Sequence, residues 1–116
     1  MTDAKETGKE GEEIAARFLK SKGYRILERN YRTRFGEIDI IARKKKNIVF
    51  VEVKTRTSDE FGSPSEAVNR KKLAKLTSVA SQFIQENRFE GFSFEFEVVS
   101  ITKQGNQWHC EIIPVD

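Results

Sequence analysis

Two runs of residues decide the fold of this chain: Gly36-Glu37-Ile38-Asp39-Ile40-Ile41-Ala42 and, a few residues later, Ile48-Val49-Phe50-Val51-Glu52-Val53-Lys54-Thr55. Both runs are short and rich in β-branched residues, which favour strands over helices. The lysine-rich turn Lys44-Lys45-Lys46-Asn47 lies between them. Two strands separated by a short polar turn are typical of a β-hairpin, so this stretch is predicted to form one.

Charged side chains inside these strands distinguish the predicted hairpin from a plain one. Successive side chains of a strand point to opposite faces, so Glu52 and Lys54 are expected on one face of their strand. Asp39 is expected on the same face of the partner strand as Glu37. A register that brings Asp39 opposite or diagonal to Glu52 would gather two carboxylates and an ammonium group within about 5–8 Å, the reach of cross-strand neighbours.

Two carboxylates held together in a half-buried sheet repel each other and lose hydration, so their charge needs compensation. Mg²⁺ suits this role because it prefers oxygen ligands and is typically held by one or two carboxylates with several waters. Such an ion lowers the pKa of a bound water and neutralises charge that builds on a phosphodiester. Lys54 beside the ion would orient the water or support the charged phosphorus centre. The pattern therefore indicates a metal-dependent nuclease.

The pattern Asp39 … Glu52-Val53-Lys54 resembles the PD-(D/E)xK signature of the restriction-endonuclease-like superfamily, with Ile38 in place of the proline. A longer string, over residues 8 to about 100, closely resembles the bacterial YraN-like family. Its parts are Gly11-Glu12-x-x-Ala15, Gly23-Tyr24-x-Ile26-Leu27-x-x-Asn30-x-Arg32, Gly36 to Ala42, Val49 to Lys54 with Arg56, and Phe61-Gly62-x-Pro64-x-Glu66-Ala67-Val68. Members of that family are described as predicted endonucleases and are similar in fold to archaeal Holliday-junction resolvases.

The resemblance implies an α/β domain of the restriction-endonuclease-like class, with a central mixed sheet flanked by helices in the order α-β-β-β-α-β-β. It also implies an endonuclease that hydrolyses DNA phosphodiesters, branched or junction DNA included, with Mg²⁺ or Mn²⁺ as cofactor. Asp39, Glu52 and the backbone carbonyl of Val53 would be the metal ligands. Lys54 would act on the water or the charged phosphate, and Glu12 of the first helix would be an auxiliary catalytic acid.

Basic residues surround the acidic pattern and predict a nucleic-acid partner. Residues 17–75 carry 17 Lys and Arg against 7 Asp and Glu, although the whole chain has a net charge of only +3. A positive segment of this kind suits a polyanion. Glu37 is expected either to support the metal ligands or to pair with an arginine. We expect four basic side chains to contact phosphates: Arg32, Arg34, Arg56 and Lys72.

The length of 116 residues predicts one domain over residues 1–116, with a flexible tail at 1–7. Apolar residues at helical spacing predict a first helix from about residue 8 to residue 22. On a helical wheel Glu12 lies at the edge of the buried stripe, whereas Glu13 points away from it. Glu12 is therefore the acid of this helix that is expected to face a neighbouring cleft.

The segment Ser63-Pro64-Ser65-Glu66 has the pattern of a capped helix start, with Ser63 as the N-cap and proline in the first turn. The second helix is predicted from there to about residue 87. Glu66 is explained by this cap and receives no catalytic role. Alternating apolar and polar residues predict the remaining strands at 24–32, 92–102 and 107–113.

Composition bears on the location of the protein and on the alternatives. The chain has no apolar run near 18 residues and no signal-like N-terminus, so neither a membrane span nor export is expected. A single cysteine, Cys110, agrees with a reducing cytoplasm, and a zinc site at His109-Cys110 is rejected.

A homodimer is a further option, since two sites would cut both strands of a junction. Two alternatives to a nuclease stay open: a non-catalytic nucleic-acid-binding module that retains the nuclease fold, and a structural domain whose acids pair with Arg29, Arg32 or Lys54.

Overall fold

The computed structural model describes residues 4–57 and 69–115, and the side chains of residues 9–56 and 69–115. The order of elements in these ranges confirms the predicted α-β-β-β-α-β-β arrangement. α1 begins earlier than the predicted residue 8, so part of the expected tail at 1–7 is helical, and residues 1–3 lie outside the described ranges. The elements are α1 (Ala4–Ser21), β1 (Arg25–Thr33), β2 (Gly36–Lys44), β3 (Asn47–Thr57), α2 (Arg70–Glu86), β4 (Ser93–Gln104) and β5 (Gln107–Pro114).

The five strands form one mixed sheet in the order β1-β2-β3-β4-β5. The first three strands are antiparallel neighbours, which short turns can connect. β3 and β4 are parallel, and α2 lies in the crossover that a parallel pair requires. β4 and β5 form the third antiparallel pair, at the other edge of the sheet. Neither described helix is long and apolar enough to cross a membrane.

The sheet separates two apolar cores. On one side α1 packs Ala15 and Leu19 against strand residues that include Val51, as the predicted helical stripe requires. On the other side α2 packs Phe83 against residues that include Phe50. Burial of a large apolar side chain contributes about 1.5–3 kcal/mol to folding. Both helices are therefore held on the sheet by their apolar faces.

α1 lies in close contact with β3 at Gly11. A β-carbon added to Gly11 would overlap Oγ1 of Thr55, so any larger residue would push the helix away from the sheet. Glycine thus permits the first half of α1 to lie against the strands. The next residue, Glu12, is brought to the sheet surface by this contact.

The described part of α2 begins later than the sequence predicts. Asn69 has an extended backbone, with φ −89° and ψ 178°, and its side chain accepts a hydrogen bond from the backbone N–H of Lys72 at 2.9 Å. Asparagine is a favourable N-cap, so α2 starts at Arg70. A helix unbroken from residue 64 to residue 87 is therefore wrong. The predicted cap at Ser63 lies outside the described residues.

Candidate functional site

The pairing of β2 with β3 ends beside Asp39. The last paired residues are Ile40 and Val51, and one further step in the same register would place Asp39 opposite Glu52. Instead, Oδ2 of Asp39 accepts a hydrogen bond from the backbone N–H of Val53 at 2.8 Å. The N–H and C=O of one strand residue point to the same side, so the Val53 carbonyl faces the same gap between the strands.

The alternation of β2 is broken at the same place. Ile40 packs on the α1 side of the sheet, whereas Ile38, two positions away, packs on the α2 side. Residues two apart in a regular strand share a face. The irregularity lies opposite Asn30 of β1, whose φ of 55° is a left-handed conformation that asparagine adopts more readily than most residues. The carboxylate of Asp39 consequently lies close to that of Glu12 of α1, and the charge of Glu52 also acts on it.

Three carboxylates from two elements converge at this gap. Glu12 of α1 and the β2 residues Glu37 and Asp39 are half-buried, and one oxygen of each lies within 4.8 Å of the others. In the amide orientation that hydrogen bonding favours, Asn30 donates to Glu12 at 3.1 and 3.2 Å and to Glu37 at 3.0 Å. Nε of Arg32 donates to Oε2 of Glu37 at 2.9 Å. The arginine pairing that was one of the two expectations for Glu37 is therefore present.

The pKa of Asp39 is raised from 3.8 to about 7. Burial is the largest cause, and the negative charge of Glu52 is the second; the Val53 N–H opposes them, and Glu12 and Glu37 raise the pKa further. A divalent cation would reverse the shift, because a nearby positive charge favours the ionised carboxyl. Carboxylate oxygens together with a backbone carbonyl are ligands that hard cations such as Mg²⁺ and Mn²⁺ prefer. The donor set therefore fits such an ion.

Glu52 and Lys54 flank Val53 on β3. The Glu52 carboxylate is ion-paired with Nζ of Lys72 of α2 at 2.5 Å. Asp39 lies with the predicted auxiliary acid Glu12 and with Glu37, and the charge of Glu52 acts on Asp39. Lys54 is exposed. The catalytic and metal-binding roles of Glu52 and Lys54 stay predictions.

The basic residues expected at phosphates occupy different settings. Arg32 and Arg34 are exposed at the β1–β2 turn, and the Arg32 pair with Glu37 is open to solvent on the arginine side. Arg56 is half-buried near the end of β3. Lys72 lies in the first turn of α2 and binds Glu52, a contact that the sequence did not predict. Their contacts with nucleic acid stay predictions.

Asn30 is the site residue to which the sequence assigned no role. It belongs to the Asn30-x-Arg32 part of the family-like string, and this was the available signal. Its contacts with Glu12 and Glu37 depend on the left-handed backbone that turns its side chain to the α1 side. Neither hydrophobic periodicity nor strand propensity indicates that turn.

A second carboxyl with a raised pKa lies elsewhere in the sheet. Glu97 of β4 is 5% exposed, and burial, followed by the charge of Glu95, raises its pKa from 4.5 to about 7. Its Oε2 has no hydrogen-bond partner among the described residues. Lys44 opposes the shift through its charge.

Comparison with solved structures gives a weak likeness. The structure of Pyrococcus furiosus SfsA in complex with Ca²⁺ matches this chain with a TM-score of 0.39 and 14% sequence identity. The match covers 98% of this chain and 65% of that chain.

Comparison with sequences gives a strong likeness to one family. A UPF0102 protein of Syntrophus aciditrophicus (strain SB) is 45% identical over 113 residues, which cover 97% of this chain and 89% of that protein. A UPF0102 protein of Sulfurihydrogenibium sp. (strain YO3AOP1) is 47% identical over 110 residues, which cover 94% of each chain. The sequence model described as "Uncharacterised protein family UPF0102" matches residues 11–101. The chain therefore belongs to the UPF0102 family.

Proposed function

We propose that this protein is a metal-dependent endonuclease, a phosphodiesterase that acts on DNA with Mg²⁺ or Mn²⁺ as cofactor. The observation that carries the proposal is the convergence of Glu12, Glu37 and Asp39 at the gap between β2 and β3. Carboxylates that repel one another in a half-buried cleft are costly without a compensating cation. Burial, then the charge of Glu52, and to a smaller extent the charges of Glu12 and Glu37 raise the pKa of Asp39 to about 7.

Asp39 and Glu12 would hold the ion together with the carbonyl of Val53, and Glu37 would bind it directly or through water. Glu52 would reach it by exchanging its partner Lys72, whose side chain is 42% exposed. When bound, the ion supplies positive charge for the phosphodiester and lowers the pKa of a nearby water. Asn30 keeps the carboxylate of Glu12 in place through its side-chain amide.

Lys54 and the arginines would serve the substrate. Lys54 would orient the attacking water or support the charge that grows on the phosphate, because an exposed ammonium on β3 is free to move toward it. Arg32 and Arg34 would hold the flanking phosphates, since a guanidinium forms paired hydrogen bonds with phosphate oxygens. The resemblance to the PD-(D/E)xK pattern and to YraN-like endonucleases supports the same assignment, and by that resemblance branched DNA is the favoured substrate.

The second candidate is a nucleic-acid-binding module without cleavage. The pairing of Glu52 with Lys72 favours it, because one predicted metal ligand already has a positive partner. In this case the acidic cluster would bind an ion that supports the fold, and the basic residues would bind nucleic acid.

Neighbouring glutamates of α1 provide the test. Glu12→Gln removes a charge of the cluster, whereas Glu13→Gln is a matched control, because Glu13 is exposed and pairs with Arg17 and Arg29. Mn²⁺ affinity is measured by calorimetry, and cleavage is measured on branched, single-stranded and duplex DNA with Mg²⁺, Mn²⁺ or EDTA. We expect wild type and Glu13→Gln to bind Mn²⁺ and cleave, and Glu12→Gln to lose about tenfold or more in both.

DNA binding without metal-dependent cleavage would favour the second candidate. Equal Mn²⁺ affinity in Glu12→Gln and Glu13→Gln would remove the support for a metal centre at the cluster, since the two variants carry the same change of charge.

A further inference from the structure

The turn between β1 and β2 carries an exposed aromatic ring. Arg34 and Phe35 form this turn, and the Phe35 side chain is 43% exposed. The Arg34 guanidinium lies 4.8 Å from the centre of the Phe35 ring. The backbone N–H of Phe35 donates to Oγ1 of Thr33 at 3.0 Å, which fixes the turn. The ring is therefore presented to solvent by an ordered turn.

The turn is also anchored to α2. Gly36, which follows the ring, has a φ of 147°, a conformation that favours glycine. A β-carbon on Gly36 would lie 3.7 Å from Cγ2 of Val79, so the turn lies against the helix. An aromatic ring held by an anchored turn loses little freedom when it binds a flat partner.

Grooves lie on both sides of the ring. One has a volume of about 520 Å³ and is lined on the α2 side by the uncharged polar residues Ser78, Ser81, Gln82 and Gln85. Hydroxyl and amide groups of this kind are suited to the edges of nucleobases.

The other groove has a volume of about 310 Å³ and is lined by residues that include Arg32, Arg34 and Glu37. Glu37 belongs to the carboxylate cluster. The same ring thus separates a surface suited to a base from a basic surface that leads to the acidic cluster.

We propose that Phe35 stacks on an unpaired base of the substrate, with Arg32 and Arg34 on the adjoining phosphates. In a continuous duplex each base face is covered by its neighbours, so a ring of this kind recognises a base that is single-stranded or displaced at a branch. The substrate class is therefore DNA with unpaired bases beside the bond to be cut. This inference rests on the proposed nuclease function, because it takes the carboxylate cluster as the place of cleavage.

The test measures binding in EDTA, so that it does not depend on cleavage. Fluorescence anisotropy gives the Kd for three labelled DNAs of equal length: a single strand, a duplex with an unpaired flap and a fully paired duplex. We expect Phe35→Ala to weaken binding to the first two about tenfold and to the paired duplex less than about twofold. Phe35→Trp keeps a stacking surface and should bind like wild type.

Phe94→Ala is the matched control, because Phe94 is 39% exposed and lies on β4. It should leave all three dissociation constants unchanged. Thermal unfolding of each variant shows that it is folded.

Three results would overturn the inference: equal binding by Phe35→Ala and wild type, an equal loss on paired and unpaired DNA, or the same loss in Phe94→Ala. Failure of wild type to bind any of the DNAs would also overturn it. Cleavage by wild type with Mg²⁺, lost in Glu12→Gln, is read separately and decides the proposed function. Cleavage without a Phe35 effect defeats this inference alone. A Phe35 effect without cleavage defeats the nuclease proposal and the place of cleavage, and it leaves only the stacking of Phe35 on an unpaired base.

Discussion

Asp39 and Glu97 are two carboxyl groups whose pKa is raised to about 7 in different surroundings. Asp39 lies where a strand pair opens, accepts a backbone N–H and meets the carboxylates of Glu12 and Glu37. Glu97 lies within a strand that is paired on both sides, beside Glu95 of the same strand, and is almost fully buried.

The comparison shows that burial and charge repulsion raise the pKa of a carboxyl group whether or not the group belongs to a functional site. Around Asp39, carboxylates come from a helix and a strand, and the cluster lies where the β2–β3 pairing ends. Glu97 has a neighbouring acid from its own strand and little access to solvent. Two features therefore distinguish a candidate site from a buried acid. They are the number of helices and strands that bring oxygen atoms to the carboxyl group, and the access of that group to solvent.

The largest expected difference between the two carboxyls is in catalysis. Asp39→Asn removes the charge but keeps an oxygen that accepts the Val53 N–H, so the fold is retained. We expect cleavage with Mg²⁺ to fall at least about 1000-fold, or about 4 kcal/mol in the barrier. Glu97→Gln should stay within about threefold of wild type. Single-turnover rates on the best DNA substrate provide the measurement. An equal loss of rate in both variants would show that Asp39 and Glu97 do not differ in their role in cleavage.

The next difference concerns stabilisation by metal. Mn²⁺ at about 100 times its Kd should raise the free energy of unfolding of wild type and of Glu97→Gln by about 2.7 kcal/mol, because only the folded state brings the ligands together. Asp39→Asn should gain less than about 1 kcal/mol. Urea unfolding with and without Mn²⁺ measures this gain. A full gain in Asp39→Asn would place the ion elsewhere.

A smaller effect is expected in the pH dependence of stability without metal. In the unfolded chain both carboxyls lose their protons near their ordinary pKa values of 3.8 and 4.5, whereas in the folded state they keep them to about pH 7. The folded state therefore binds more protons between about pH 4 and pH 7, and stability falls as the pH rises through this window.

Asp39→Asn and Glu97→Gln should each flatten that fall, because each removes one titrating carboxyl. Urea unfolding in EDTA at a series of pH values measures the slope. Saturating Mn²⁺ should abolish the contribution of Asp39 to the fall of stability with pH and leave the contribution of Glu97. The reason is that the metal competes with the proton at Asp39 and not at Glu97. A slope that neither substitution changes would contradict the assignment.

The smallest expected effect is the separate influence of each neighbouring charge on Asp39. Glu52→Gln should lower the pKa of Asp39 more than Glu37→Gln does, because the Glu52 charge has the larger influence. Neither substitution should alter the titration of Glu97. Carboxyl ¹³C chemical shifts followed against pH measure both groups in one sample, and the reverse order of the two shifts would show that the geometry around Asp39 is different.

Much of the fold follows from local patterns. Helical spacing predicted the buried stripe of α1 and also placed Glu12 at its edge, where the structure has it facing Asp39. Strand propensity and the lysine-rich turn predicted the β2–β3 hairpin. These features depend on the period of each element, which a sequence displays directly.

The details of the site depend on contacts between distant elements. The early end of the β2–β3 pairing depends on the Asp39 side chain and on the left-handed backbone of Asn30 opposite it. The Glu52 pair with Lys72 depends on where α2 begins, and Asn69 is the N-cap of that helix. Regular alternation and a local capping pattern could not predict these outcomes, because tertiary packing decides them.

The hydrogen bond from Val53 to Asp39 gives the site a built-in spectroscopic signal. The resonance of that amide proton depends on the charge carried by the oxygen it touches. Its position in an ordinary ¹H–¹⁵N spectrum would therefore move as Asp39 gains a proton or exchanges that proton for a metal ion. Occupancy of the cluster could be followed through one backbone atom, in the unmodified protein and without any substrate.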